Sequence, residues 1–236
     1  MTAAAQRPGA GLQAQVDHLV VVARSLEEGV AWCERTLGLT PGPGGQHPLM
    51  GTHNRLFRID GPAFPDAYFE IIAIDPAAAP PARRRWFDMD DPRLQARVAQ
   101  DGPQLAHVVV RVDNVASARA AWQALGLERG EVVQASRPTP AGLLQWKITV
   151  RDDGQRLFDG TLPTLIEWGE THPVPAMAPP VARLASLTLR HPQADTLRRA
   201  LQAIGLDSVT VADGPAALLA TLDTPRGRVT LGDAAG

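Results

Sequence analysis

Cysteine is almost missing from this chain: Cys33 is the one thiol in 236 residues. That excludes an internal disulfide and any thiolate metal site of the finger type, and a lone cysteine beside Trp32 in a helical stretch reads as a small buried hydrophobe. Aromatics make up 5% of the residues, and 23 Lys+Arg against 25 Asp+Glu leave a formal net charge of −2. No basic run exceeds Arg83-Arg84-Arg85, so a nucleic-acid footprint is lacking. Nowhere do 18 apolar residues run together, and the N-terminal stretch has no apolar h-region. The expectation is a soluble cytoplasmic protein with no membrane span and no nucleic-acid partner. Dinucleotide fingerprints, Walker loops, nucleophile elbows and Cys-x-x-Cys pairs are absent as well.

What the chain does contain is repetition. Val16-Asp17-His18-Leu19-Val20-Val21-Val22 returns as Leu105-Ala106-His107-Val108-Val109-Val110-Arg111, and again, with Ser186 in the histidine slot, as Leu184-Ala185-Ser186-Leu187-Thr188-Leu189-Arg190. The second and third copies align without a gap over Leu105 to Leu127 and Leu184 to Leu206. Each strand leads into an amphipathic helix that stops at Leu37-Gly38-Leu39, Leu125-Gly126-Leu127 or Ile204-Gly205-Leu206. Glycine there accepts the left-handed conformation that closes a helix. A strand–helix unit recurring three times outranks any single motif as evidence of architecture.

Around these signals the sequence divides into a first module over residues 14–75, a connector over 76–103, a second module over 104–170 and a shorter third copy over 182–232. In the first, Ser25 with Glu28 forms a capping box, the loop from Gly42 to Gly51 is long and irregular, and strands follow at Thr52 to Ile59 and Ala67 to Ile74. In the second, a helix from about Asn114 to Leu125 precedes strands at Leu143 to Val150 and Leu165 to Trp168. The Pro-rich run from Thr171 to Pro180 reads as a stiff linker. The third module keeps the scaffold but offers hydroxyls where the others offer potential ligands, and its exposed sheet face calls for a cover: the back of the paired modules, or a second chain in a homodimer.

Chemistry concentrates in symmetric slots. Each of the first two modules has a histidine on its opening strand, His18 or His107, and a glutamate inside its closing strand, Glu70 or Glu167. A carboxylate in an apolar strand is expensive to bury unless it is paired, protonated or bound to metal. Two imidazoles and two carboxylates suit Zn, Ni, Mn, Fe or Co, with positions left for water or substrate, and either glutamate is then a proton-transfer candidate. His53, Asn54, Arg137, Gln145 and Lys147 are candidates for binding a small-molecule substrate. The Gly42–Gly51 loop and the Arg83–Pro92 connector are expected at the cavity mouth.

The runs Asp17-His18-Leu19-Val20-Val21-Val22, Tyr68-Phe69-Glu70, Ala106-His107-Val108-Val109 and Leu165-Ile166-Glu167 resemble the metal-bearing strand motifs of the vicinal oxygen chelate superfamily. The segments Gly44-Gly45-Gln46-His47-Pro48, Arg85-Trp86-Phe87, Gln145-Trp146-Lys147 and Phe158-Asp159-Gly160 resemble its glyoxalase-like branch. The resemblance implies an α+β fold of tandem βαβββ modules paired into a cupped sheet. It further implies a metal-dependent lyase or isomerase with His18, Glu70, His107 and Glu167 as ligands. An extradiol-type dioxygenase and a metal-free protein that sequesters small molecules are the alternatives within the same fold.

Overall fold

The computed structural model describes residues 12–139 and 142–232. Strand β1 (Ala14–Val22) is buried along nearly its whole length because both of its faces are covered, which is why it reads as a continuous apolar run. Helix α1 (Leu26–Leu37) starts where the Ser25 hydroxyl accepts from the Glu28 amide and stops at Gly38, φ 75°. The first module closes with β2 (Gln46–His47), β3 (Thr52–Arg58) and β4 (Tyr68–Ile74). Helix α2 (Pro92–Asp101) ends the connector. The second module runs β5 (Gln104–Val112), α3 (Val115–Gln123), β6 (Glu131–Thr139), β7 (Gly142–Val150) and β8 (Thr164–Trp168). The third runs β9 (Arg183–Arg190), α4 (Ala194–Ala203), β10 (Thr210–Ala212), β11 (Ala217–Thr224) and β12 (Gly227–Leu231). Strand β2 and strand β6 were not anticipated: the first is two residues in a Gly/Pro-rich loop, and the second is an edge strand of mixed polarity without clear alternation.

The first two modules share one eight-stranded sheet of order β2-β3-β4-β1-β5-β8-β7-β6. Within each module the opening and closing strands run parallel and adjacent, β1 beside β4 and β5 beside β8, and the modules join through the antiparallel β1–β5 pair. His18 and His107 therefore lie on the two central strands, and Val20 stands opposite His107 in the register. The third module forms a separate four-stranded sheet, β10-β9-β11-β12.

Two apolar layers flank the large sheet. On the outer face Leu19, Val21, Phe69, Ile71, Val108 and Val110 share one core with α1, α3 and the third module, whose Leu187, Leu197, Leu201 and Leu222 belong to the same cluster. On the inner face the connector folds into the cup: Trp86, Phe87 and Met89, with Leu94 and Val98 from α2, pack on Val20, Ile72, Val109, Trp146 and Ile166. The connector is thus a plug in the cup as well as part of its rim. Among the described residues no helix is long and apolar enough to cross a membrane.

Candidate functional site

Strand alternation decides which side chains meet. On β1 and β4 the cross-strand partners His18 and Tyr68 both face the cup, their rings stacked with centroids 4.5 Å apart, and Glu70 lies two residues further along β4. Asn54 on β3 faces the same way, as does His47 from β2. Trp146, Leu144 and Ile148 on β7, Ile166 and Trp168 on β8, Arg137 on β6, and Trp86 and Phe87 from the connector complete the cleft. Its volume is about 30 Å³, room for one or two waters.

The centre of the cleft is a buried hydrogen-bond chain. His18 Nδ1 donates to Asp17 Oδ1 at 2.6 Å, while Trp168 Nε1 and His172 Nε2 donate to Asp17 Oδ2 at 2.8 and 3.0 Å. Burial acts to raise the Asp17 pKa, but the hydrogen bonds from His172 and His18 and their charges outweigh it and hold this carboxyl well below its ordinary range. With Asp17 ionised, Nδ1 of His18 carries the proton and Nε2 is left facing Glu70 Oε2, 3.6 Å away. Asn54 Nδ2 donates to Glu70 Oε1 at 2.6 Å, and Asn54 Oδ1 accepts from the Gly45 amide at 2.8 Å. His47, fully enclosed, has its pKa pushed down to about 3, first by burial and then by the charge of Arg137. Burial, with the charges of Asp17 and Glu70 adding, raises the Tyr68 hydroxyl well above its usual value.

A family model described as a glyoxalase-like domain matches residues 16–205, most of the chain. The protein belongs to the glyoxalase-like domain family. Its structure is similar to that of a hypothetical protein from Staphylococcus aureus, 13% identical, with 93% of this chain and 85% of that one covered at a TM-score of 0.55. It also aligns with methylmalonyl-CoA epimerase from Streptomyces coelicolor, in complex with 2-nitronate-propionyl-CoA, at 14% identity, 69% and 99% coverage and a TM-score of 0.42. The epimerase from Mycobacterium tuberculosis aligns at 14% identity, 72% and 97% coverage and a TM-score of 0.40. The first of these likenesses bears on the fold alone. No curated protein matches the sequence.

The four residues that the resemblance nominates as metal ligands in this glyoxalase-like protein do not converge. His18 and Glu70 face one another in the cleft. His107 is sealed off: Nδ1 donates to the Gly160 carbonyl at 2.9 Å, Nε2 is 2.9 Å from Thr164 Oγ1, and the Phe87 ring stands over it at 5.4 Å. The buried Arg129 guanidinium lies 3.2 Å from the same Nε2 and also donates to Thr164 Oγ1, putting a fixed positive charge where a cation would have to bind. Burial, then the charges of Arg129 and Arg156, holds His107 well below 6.5. Glu167 is on the opposite face of the sheet, where Oε2 accepts the Val115 amide at the start of α3 at 2.8 Å and Oε1 accepts from Lys147 Nζ at 2.7 Å. Among the described residues, no group of three or more His, Cys, Asp or Glu side chains is placed to hold a metal ion. The donor set does not fit a four-ligand centre.

The substrate-binding candidates divide in the same way. Asn54 and Arg137 line the cleft. Gln145 and Lys147 instead join Glu167 in a separate groove on the outer face with Gln134 and Ser136. His53, one residue before Asn54, points away from the cleft, its Nδ1 4.0 Å from Asp75. Sequence reasoning missed Asp17, His47, Tyr68 and His172 as site residues. Asp17 carried the same signal used for Glu70, a carboxylate in an apolar strand, whereas His172 sat in the Pro-rich stretch with nothing to tie it to β1.

Proposed function

We propose that the protein catalyses proton transfer on a small oxygen-bearing molecule, an isomerase- or lyase-type reaction, with His18 as the base and Glu70 as its partner. One observation carries this reading: an ionised, buried Asp17 orients His18 so that its free Nε2 faces a carboxylate across an apolar cleft. An imidazole aligned by a buried carboxylate keeps its tautomer and stabilises the positive charge it gains on accepting a proton. Glu70, aimed by Asn54, is on the same side of the cleft to stabilise the protonated ring, which then returns the proton to the substrate. Trp86, Phe87, Trp146, Ile166 and Trp168 exclude water, which strengthens both interactions. A ligand larger than one or two waters enters only when the lining moves, and Arg137, on edge strand β6, and Trp168 are its half-buried side chains.

Solvent-deuterium exchange at carbon positions next to the carbonyl of a panel of small oxo compounds, followed by proton NMR, tests the proposal. The wild type should accelerate exchange in at least one compound. His18→Ala and Glu70→Gln should each lose about a hundredfold to ten-thousandfold, the range of general acid–base catalysis. Exchange that survives His18→Ala unchanged would sink the assignment. Sequestration without turnover is the second reading, favoured by the closed His107 half-site, and binding with no exchange in any compound would support it.

A further inference from the structure

We infer that the ligand of this cleft is a small monoanionic carboxylate, anchored by Arg137 seated over Gly45. This names a substrate class for the proton-transfer site and rests on that reading for the cleft being the active site.

Charge balance supplies the first observation. Arg137 is the one lysine or arginine among the lining side chains, and among the described residues no carboxylate lies within ion-pair distance of it. Elsewhere in the fold Arg58, Arg85 and Arg156 hold Asp60, Asp90 and Asp88 at 2.7, 2.6 and 2.8 Å. The cleft's own acids already have donors, Asp17 three of them and Glu70 the Asn54 amide. A guanidinium that faces an apolar cavity without an anion is set up to receive one. One such cation balances a monoanion, whereas a phosphate dianion would stay under-compensated.

Placement is the second. Arg137 stands opposite Leu144 in the β6–β7 register, at the open end of the sheet, and its guanidinium passes so close over Gly45 that an added Cβ there would overlap Nη1. The Gly45 amide donates to Asn54, which donates to Glu70, so the seat of the arginine is tied by two hydrogen bonds to the carboxylate that reacts. The field of Arg137 already reaches the interior, where it lowers His47 and opposes the upward shift of Tyr68. Trp86, nine-tenths buried, is in the same lining, and its indole Nε1 has no hydrogen-bond partner. Leu56, Leu144, Ile148 and Ile166, with the rings of Phe87, Trp146 and Trp168, give an apolar wall for the body behind the carboxylate.

The experiment is calorimetric titration of the full chain with 2-oxobutyrate and phenylpyruvate, each beside its methyl ester, and with inorganic phosphate. The free acids should bind about tenfold to a hundredfold more tightly than the esters, the difference a charge-assisted hydrogen bond makes. Arg137→Gln should bring the acids down to the level of the esters. Gly45→Ala, which keeps the arginine but evicts it from its seat, should do the same with an unchanged thermal midpoint. Esters binding as well as acids, acid binding indifferent to Arg137→Gln, a preference for phosphate, or no Arg137-dependent binding at millimolar concentration would each overturn the inference. Arg137-dependent binding without deuterium exchange would refute proton transfer and leave the carboxylate site standing.

Discussion

Asp17 is fully buried, adjoins the reactive imidazole in sequence, and accepts from three side chains on β1, β8 and the segment after β8. Replacing one partner of a buried charged network leaves the others uncompensated, which typically destabilises by about 3–5 kcal/mol. Asp17→Asn should lose stability of about that size in urea unfolding and should abolish His18-dependent exchange, while His172→Ala, which removes one of three donors, should lose less of both. Two buried histidines contribute to the acid sensitivity of the fold. His47 titrates at about 3 and His107 well below 6.5 because burial disfavours their charged forms, whereas in the unfolded chain both protonate near 6.5. Their folded pKa values are depressed, so the stability they contribute is present above 6.5 and is lost as pH falls below it, for His47 down to about 3, by about 1.4 kcal/mol per pH unit for each proton. Urea midpoints should fall as pH drops from 7 to 4, and His47→Gln should reduce the slope below pH 6.5 by about one proton. A midpoint that stays flat over this interval would contradict the burial of both rings.

At the scale of elements, one residue of phase separates working side chains from structural ones. Asn54 and His53 are neighbours on β3, and Glu167 lies between Ile166 and Trp168 on β8, yet His53 and Glu167 are turned away from the cavity their neighbours line. The four-fold ligand pattern was readable as spacing, but the facing of Glu167 was not, because Leu165-Ile166-Glu167-Trp168 is apolar on both sides of the carboxylate and alternation cannot say which face is the cup. In its observed place Glu167 caps α3, adding a charge–dipole contact to the half-exposed Lys147 pair. Glu167→Gln should therefore reduce stability by about 1 kcal/mol and leave carboxylate binding and exchange unchanged. A loss of exchange in that variant with the fold intact would return Glu167 to the site. The connector shows the same limit: Arg85-Trp86-Phe87 was legible as a rim, but its insertion into the cup depends on Phe87 and Asp88 both adopting left-handed backbone, φ 58° and 56°, held by the Asp88–Arg156 pair.

Across the whole molecule, the third module covers the outer face of the first two within the same chain. Trp122 on α3 donates its Nε1 to the Ala200 carbonyl on α4 at 2.7 Å, Leu184 donates its amide to the Ile59 carbonyl, and the apolar residues of all three modules form one cluster. The exposed sheet face that raised the expectation of a homodimer is therefore already occupied, and the argument for a second chain there no longer holds. Truncation after Pro180 should expose this layer and give an aggregating product or one with no cooperative unfolding transition. A soluble fragment that unfolds cooperatively and still binds the acids would show that the module is dispensable.

The sequence by itself determined the modules, because local signals write them: apolar strands, capping Ser25 and Asn114, and Gly38, Gly126 and Gly205, all left-handed in the structure. It also determined that His18 and Glu70 are set apart, since polar groups inside apolar strands need a partner. Tertiary structure alone decided which of the symmetric slots work. Arg129 and Phe87 closed the His107 half, the sheet's pleat sent Glu167 outward, and the fold brought Asp17 to His172 and Arg137 to Gly45 across long stretches of chain. Those pairings depend on register and on which face is covered, and neither is encoded within a single segment of sequence.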